Sequence, residues 1–106
     1  MAHPLPRQNV DVSVDDVTIR RGLQRVIDAQ IGPRGVGAIY HNVDGAFEVV
    51  AVVRDHARAK ALLNRRCAQW ALIVKDVLRS GAEPFAIGSA WTTSDILVRE
   101  TPTGVR

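Results

Sequence analysis

The sequence predicts an α+β domain in which an antiparallel sheet carries two helices on one face, in the order βαββαβ with one more short strand at the end. Two stretches hold apolar residues at helical spacing, Ile19 to Ile27 and Asp55 to Gly81. Between them, two strand-like runs flank Asp44-Gly45, a dipeptide suited to a tight hairpin turn. Third, 106 residues with 46% hydrophobic and 24% charged content suffice for one modest core and not for two.

In chain order, residues 1–8 contain Pro4 and Pro6 and are expected to form an extended arm. The folded domain is expected over residues 9–99, with a polar, mobile tail at residues 100–106. Val10 to Val14 alternates apolar and polar residues with period two, the pattern of a half-buried strand. Ser13 followed by Asp16 resembles a capping box, so a helix is expected from about Val14. Ile19, Leu23, Val26 and Ile27 share one face of it, and Gly32-Pro33 ends it.

The following GPRGVG segment, Gly32 to Gly37, leaves a helix and enters a strand. Phosphate-cradling glycines follow the opposite order, so this segment is expected to be a flexible connection. Val36 to His41 and Ala46 to Val53 form the predicted hairpin. The second of these strands is apolar on both faces apart from Glu48, which implies that both faces are covered.

Asp55 is a good N-cap for the second helix, expected to run about 26 residues and span roughly 39 Å. Leu63, Cys67, Trp70, Val74, Val77 and Leu78 would be its core stripe. The run from Trp70 to Val74 would circle the helix with apolar surface, marking Trp70, Leu72 and Ile73 as a subunit contact. Beyond Gly81 and Pro84, Phe85 to Trp91 reads as a strand, and Ile96 to Arg99 as a short edge strand.

Net charge is +3, with 14 Lys and Arg against 11 Asp and Glu, a mild excess that permits an acidic partner without requiring one. The concentrated part is Arg58, Lys60, Arg65 and Arg66 at the front of the second helix. Arg58 and Lys60 fall in its first turns, where positive charge opposes the helix dipole at about 0.3–1 kcal/mol each, so the run fits either an acidic protein surface or phosphate backbone, or a merely solvated face. His3, His41 and His56 are too scattered for a metal site, and no cofactor motif is present. Cys67 is expected to be a buried, inert thiol, and Glu48, the best candidate for a perturbed carboxylate, to pair with an arginine such as Arg99 or to stand exposed at a sheet edge rather than to act in acid-base catalysis. With one cysteine, no long apolar run and no signal-peptide pattern, a protein that stays in the cytoplasm or in a virion is expected, without membrane insertion or export by a signal peptide.

The element order is ferredoxin-like and resembles that of RNA-recognition motifs. Their third strand carries base-stacking aromatics; here Gly45 to Val49 holds one aromatic residue and an acid, and Val10 to Val14 holds none. From Phe47 to Val98, the pattern of hydrophobic strand, long helix with an Arg-rich start and a Trp-containing middle, and strand-turn-strand resembles the tail-terminator and neck proteins of long-tailed bacteriophages. That resemblance implies a ring-forming, non-enzymatic head-tail joining subunit whose partners are its own copies and other structural proteins. The other expectations are a basic nucleic-acid-binding adaptor acting through Arg58, Lys60, Arg65 and Arg66, and a small ferredoxin-like ligand-binding domain or enzyme with a pocket near Tyr40, Glu48 and Trp91.

Overall fold

The computed structural model describes residues 7–102, with side chains described from Asp16 onward. A long helix α1 (Arg7–Ile31) precedes the hairpin β1 (Ile39–Asn42) and β2 (Gly45–Val53), a short helix α2 (His56–Leu63), and strands β3 (Ala71–Asp76), β4 (Phe85–Ile87) and β5 (Ile96–Arg99). The sheet is antiparallel throughout, in the order β4-β3-β2-β1-β5. The architecture is therefore α+β as expected, but its order is αββαβββ.

The predicted first strand is absent. Val10 to Val14 belongs to α1, whose residues 7 and 8 also fall within the expected extended arm; residues 1–6 lie outside the described residues. The alternation at Val10, Val12 and Val14 misled because Val10, Val14 and Val17 also stand four and three apart, so one valine-rich stretch satisfies both periods.

The predicted long helix is also absent, and with it the feature that carried the likeness to phage joining proteins. Asp55 does cap α2, accepting from the Ala57 N–H at 3.0 Å. After eight residues Asn64 turns left-handed at φ 54°, and the Asn64 and Arg65 N–H groups close back onto the Lys60 carbonyl. Ala71 to Asp76 then forms β3, hydrogen-bonded to β2 on one side and β4 on the other. A five-residue apolar run fits a strand buried on both faces as well as it fits a helix, and sequence spacing does not separate them. Val77 and Leu78, assigned to the core, are 39% and 71% exposed.

Successive residues of β3 face opposite sides of the sheet. Leu72 and Val74 join Val49, Phe47, Tyr40 and Trp70 in the main core, which the end of α1 covers with Ile27 and Ile31. Ala71 joins Val53 and Ala59 of α2 in a smaller cluster on the reverse face. The helices thus sit on opposite faces, correcting the expectation that both lie on one. The chain of β2 shifts register between Val49 and Ala51, leaving Val50 44% exposed on an otherwise covered strand. Burying a side chain such as Leu72, at 0% exposure, contributes roughly 1.5–3 kcal/mol, so the β2-β3 pair anchors the fold.

From β4 the chain crosses to the opposite edge of the sheet before forming β5, and Trp91 lies on that crossover. The Trp91 N–H donates to the Gln30 carbonyl at 2.7 Å, fastening the crossover to the end of α1. There Gly32 has φ 63°, and a Cβ on it would stand 2.6 Å from Trp91 Cγ, so glycine is required both by backbone angle and by space. The GPRGVG segment is consequently docked, with Thr101 and Pro102 packed against Gly35 and Gly37, rather than the loose connection expected.

Candidate functional site

Three regions carry the chemistry of this molecule: a buried guanidinium at the foot of α1, a basic surface around α2, and the exposed shaft of α1.

The foot is organised by Arg34, which is 1% exposed. A helix ends with carbonyls that no further turn can satisfy. Arg34 supplies their donors from just past the helix end: its Nε donates to the Ile31 carbonyl at 2.8 Å, and its Nη2 donates to the carbonyls of Gln30 at 2.7 Å and Ser89 at 2.9 Å. Tyr40, Trp70 and Trp91 enclose it, with ring centroids 5.3, 5.7 and 5.6 Å from its central carbon. Trp70 Nε1 donates to Gln30 Oε1 at 2.7 Å, so one glutamine ties the helix end to the core through both backbone and side chain. Among the described residues no carboxylate stands within ion-pair distance of Arg34. Burial therefore lowers its pKa from the usual guanidinium value, against the opposing effect of Tyr40 and Asp95. Burial likewise raises the Tyr40 phenol, against the pull of Arg34, and keeps it neutral.

Asp95 lies nearby, where its carboxylate accepts from Asn42 Nδ2 at 2.8 Å and from the Thr92 N–H at 2.8 Å. Burial raises its pKa, but these bonds, the Thr92 hydroxyl and Arg34 outweigh that and hold it below the ordinary 3.8. These groups are structural partners to one another, with hydrogen bonds and ring contacts accounting for each.

The basic residues predicted at the front of the second helix are all exposed: Arg58 and Lys60 on α2, Arg65 and Arg66 just past its end. Lys60, Arg65 and Arg66 gather with Asn64 around one shallow, open surface, so the structure brings three of the four together. None of the four takes part in an ion pair among the described residues.

The predicted contact residues fare differently. Trp70 and Leu72 are 5% and 0% exposed and belong to the chain's own core, with Ile73 half-buried against α2's cluster. Their apolar character is used internally. Surface apolar residues lie on α1 instead, where Val17, Ile19, Leu23 and Val26 are 50%, 58%, 41% and 51% exposed.

Glu48 pairs with Arg99 at 3.3 Å, as expected, and both are partly solvated. It stands on the reverse face from Tyr40, because Phe47, its neighbour in the strand, is the residue opposite Tyr40. Tyr40 and Trp91 pack edge to face at 6.1 Å around Arg34, so no pocket gathers Tyr40, Glu48 and Trp91. A hollow of about 240 Å³ beside Tyr40 is lined instead by Phe47, Val74, Phe85 and Ile87, with Asn42 and Asp44 at its rim. Cys67, expected to be buried, is exposed and lines a cleft of about 210 Å³ with Gln30, Leu63, Arg65 and Trp70. Among the described residues no group of three His, Cys, Asp or Glu side chains stands close enough to hold a metal ion, and no helix is long and apolar enough to cross a membrane.

Sequence reasoning missed Arg34 altogether. The signal was present: an arginine two residues past a Gly-terminated helix is well placed to satisfy the last carbonyls. No protein-family model, curated protein or solved structure matches this chain.

Proposed function

We propose that this chain is a structural assembly subunit that works by self-association and performs no catalysis. The observation that carries the reading is the shaft of α1, where Ile19, Leu23 and Val26 leave about half their surface in water although the same chain buries Ile27 and Ile31 one turn later. Exposed apolar side chains lined up on one helix are the ordinary mark of a contact surface. The accounting of polar groups agrees with it: the buried Arg34 and Tyr40 and the partly exposed Asp95 and Glu48 each have structural partners. Sedimentation velocity of the purified chain from about 5 μM to 500 μM tests the reading. A mass that rises with concentration supports it, and a monomer throughout overturns it. A ring-forming head-tail joining subunit is one form that such assembly takes, and it requires a fixed copy number above two.

A second reading follows from the basic surface. Arg58, Lys60, Arg65 and Arg66 are exposed and without acidic partners among the described residues, an arrangement suited to phosphate groups along a nucleic-acid backbone. Four such contacts predict that log affinity for duplex DNA falls with log salt at a slope near −3.6, or about 0.9 per phosphate. No binding at 50 mM salt removes it.

A further inference from the structure

The chain leaves two apolar surfaces of different shape without a cover. One is a seam on the α1 shaft, where Ile19, Leu23 and Val26 stand four and three residues apart and so share one exposed face of the helix. The other is the hollow of about 240 Å³ on the main-core face of the sheet, with Tyr40, Phe47 and Val74 nearly closed to water and Phe85 44% exposed beside them. The shaft does not reach this hollow within its own chain. Asp28 is bonded to Arg54, just past Val53, and Gln30 to Trp70, just before Ala71, so α1 leaves the sheet at the end where Val53 pairs with Ala71. The hollow lies at the other end, where Phe47 pairs with Asp76 and the hairpin turns, and no residue of α1 lines it.

Charge tells the two surfaces apart. Between Asp16 and Val26 the shaft carries one acid, Asp16, against Arg20, Arg21 and Arg25. Arg7, Asp11 and Asp15 precede this stretch, and Asp28, which follows it, is held by Arg54 at 2.8 Å. Arg20 borders the seam, exposed and 3.2 Å from Asp16, while Arg21 and Arg25 stand by spacing on the far side of the helix. Beside the hollow, a depression that shares Asp44, Phe47 and Phe85 with it adds Asp76, Glu83 and Arg79, so three carboxylates stand there against one guanidinium. None of those four takes part in an ion pair among the described residues. Shaft against shaft, or hollow against hollow, sets like net charges together; shaft against hollow sets opposite ones together.

Resting on the self-association reading, we propose that the α1 shaft of one copy docks over the hollow of the next, its Ile19, Leu23 and Val26 face against Phe47, Val74 and Phe85 and Arg20 toward the acidic rim. Each copy then offers one surface and receives on the other. The packing repeats between chains what Ile27 and Ile31 do within one, since they cover the same face of the sheet. Such a contact is heterologous: it joins copies head to tail, and the rotation from one to the next decides between a closed ring and an open filament.

Sedimentation of two variants, alone and mixed, tests the contact. Leu23→Asp spoils the shaft and Phe85→Ser the hollow, so each alone is expected to associate about tenfold or more weakly than the parent chain, with the far-ultraviolet circular dichroism unchanged. Mixed in equal amounts at about 500 μM, they are expected to form pairs and nothing larger, because the intact shaft of the Phe85→Ser chain fits the intact hollow of the Leu23→Asp chain. A mixture no more associated than its components overturns the head-to-tail contact, and so does either variant that associates like the parent. Should Phe85→Ser lose the parent's circular dichroism, a double variant at the exposed rim, Asp44→Arg with Glu83→Arg, takes its place; association weakened by less than about threefold at about 50 mM salt then overturns the proposal. In each of these cases the parent still associates, and the self-association reading stands. A parent chain that stays a monomer at about 500 μM overturns both.

Discussion

One helix contains two environments, and the contrast between them is informative. At the foot of α1, Ile27 and Ile31 are each 4% exposed, and Arg34 and Gln30 bind the helix end to both tryptophans. Along the shaft, Ile19, Leu23 and Val26 are apolar residues of the same kind at the same spacing, yet each is at least 41% exposed. The difference lies in what stands beside the helix. The sheet reaches only its last turns, so side-chain type determines what would be stable if covered, and the position of the sheet determines what is covered.

Arg34→Ala should separate the regions most strongly. It would take a side-chain donor from the carbonyls of Gln30, Ile31 and Ser89, of which Gln30 keeps the Trp91 N–H and Ile31 the N–H of residue 34, and open a void among three rings, at a cost of about 3–5 kcal/mol by urea unfolding. Fluorescence from Trp70 and Trp91 should change in the native state as well, since both flank the guanidinium. A loss below about 1 kcal/mol would mean that water readily replaces the arginine and that the foot is not specially tied.

Truncating matched apolar residues sharpens the comparison. Ile27→Ala at the foot should cost about 2–4 kcal/mol, as expected for a buried residue that leaves a cavity. Leu23→Ala on the shaft, measured at low protein concentration, should stay within about 0.5 kcal/mol. Equal losses would show that the shaft is covered in the monomer.

Acid should weaken the fold through Asp95. The folded pKa of Asp95 lies below its ordinary 3.8, so its contribution is present above pH 4 and is lost as pH falls through the lower, folded value. Asp95→Asn should flatten that limb of a stability-against-pH curve, by about 1 kcal/mol or less for a partly exposed group. A curve identical to that of the parent chain would place the acid sensitivity elsewhere. A small effect is also expected on the reverse face: Glu48→Gln should cost under about 1 kcal/mol, because its pair with Arg99 is solvated and 0.5 M salt already screens it.

Much of the local structure was legible in the chain. The hairpin around Asp44-Gly45, the Asp55 cap, the stop at Gly32 and the edge strand at Ile96 all follow from turn chemistry, capping and spacing, which act over a few residues. Readings that depended on a distant neighbour failed. Trp70 to Val74 looked like a helix with too much apolar surface because its true neighbours, β2 and β4, are supplied by segments that precede it by about twenty residues and follow it by about ten. Cys67 left the expected core for the same reason, since the helix that would have buried it ends at Leu63. The four basic residues kept their exposed positions whether the segment was long helix or short, because charge seeks water in either case.

By itself, then, the sequence determined the α+β class, the Asp44-Gly45 turn, the Asp55 cap and the stop at Gly32. Tertiary structure alone decided that Ala71 to Asp76 is an interior strand, that the helices take opposite faces, and that Arg34 is enclosed by three rings. The physical reason is range: capping and turn preferences are satisfied within a few residues of chain, whereas the burial of an apolar run or a guanidinium depends on groups brought together only when the whole sheet has formed.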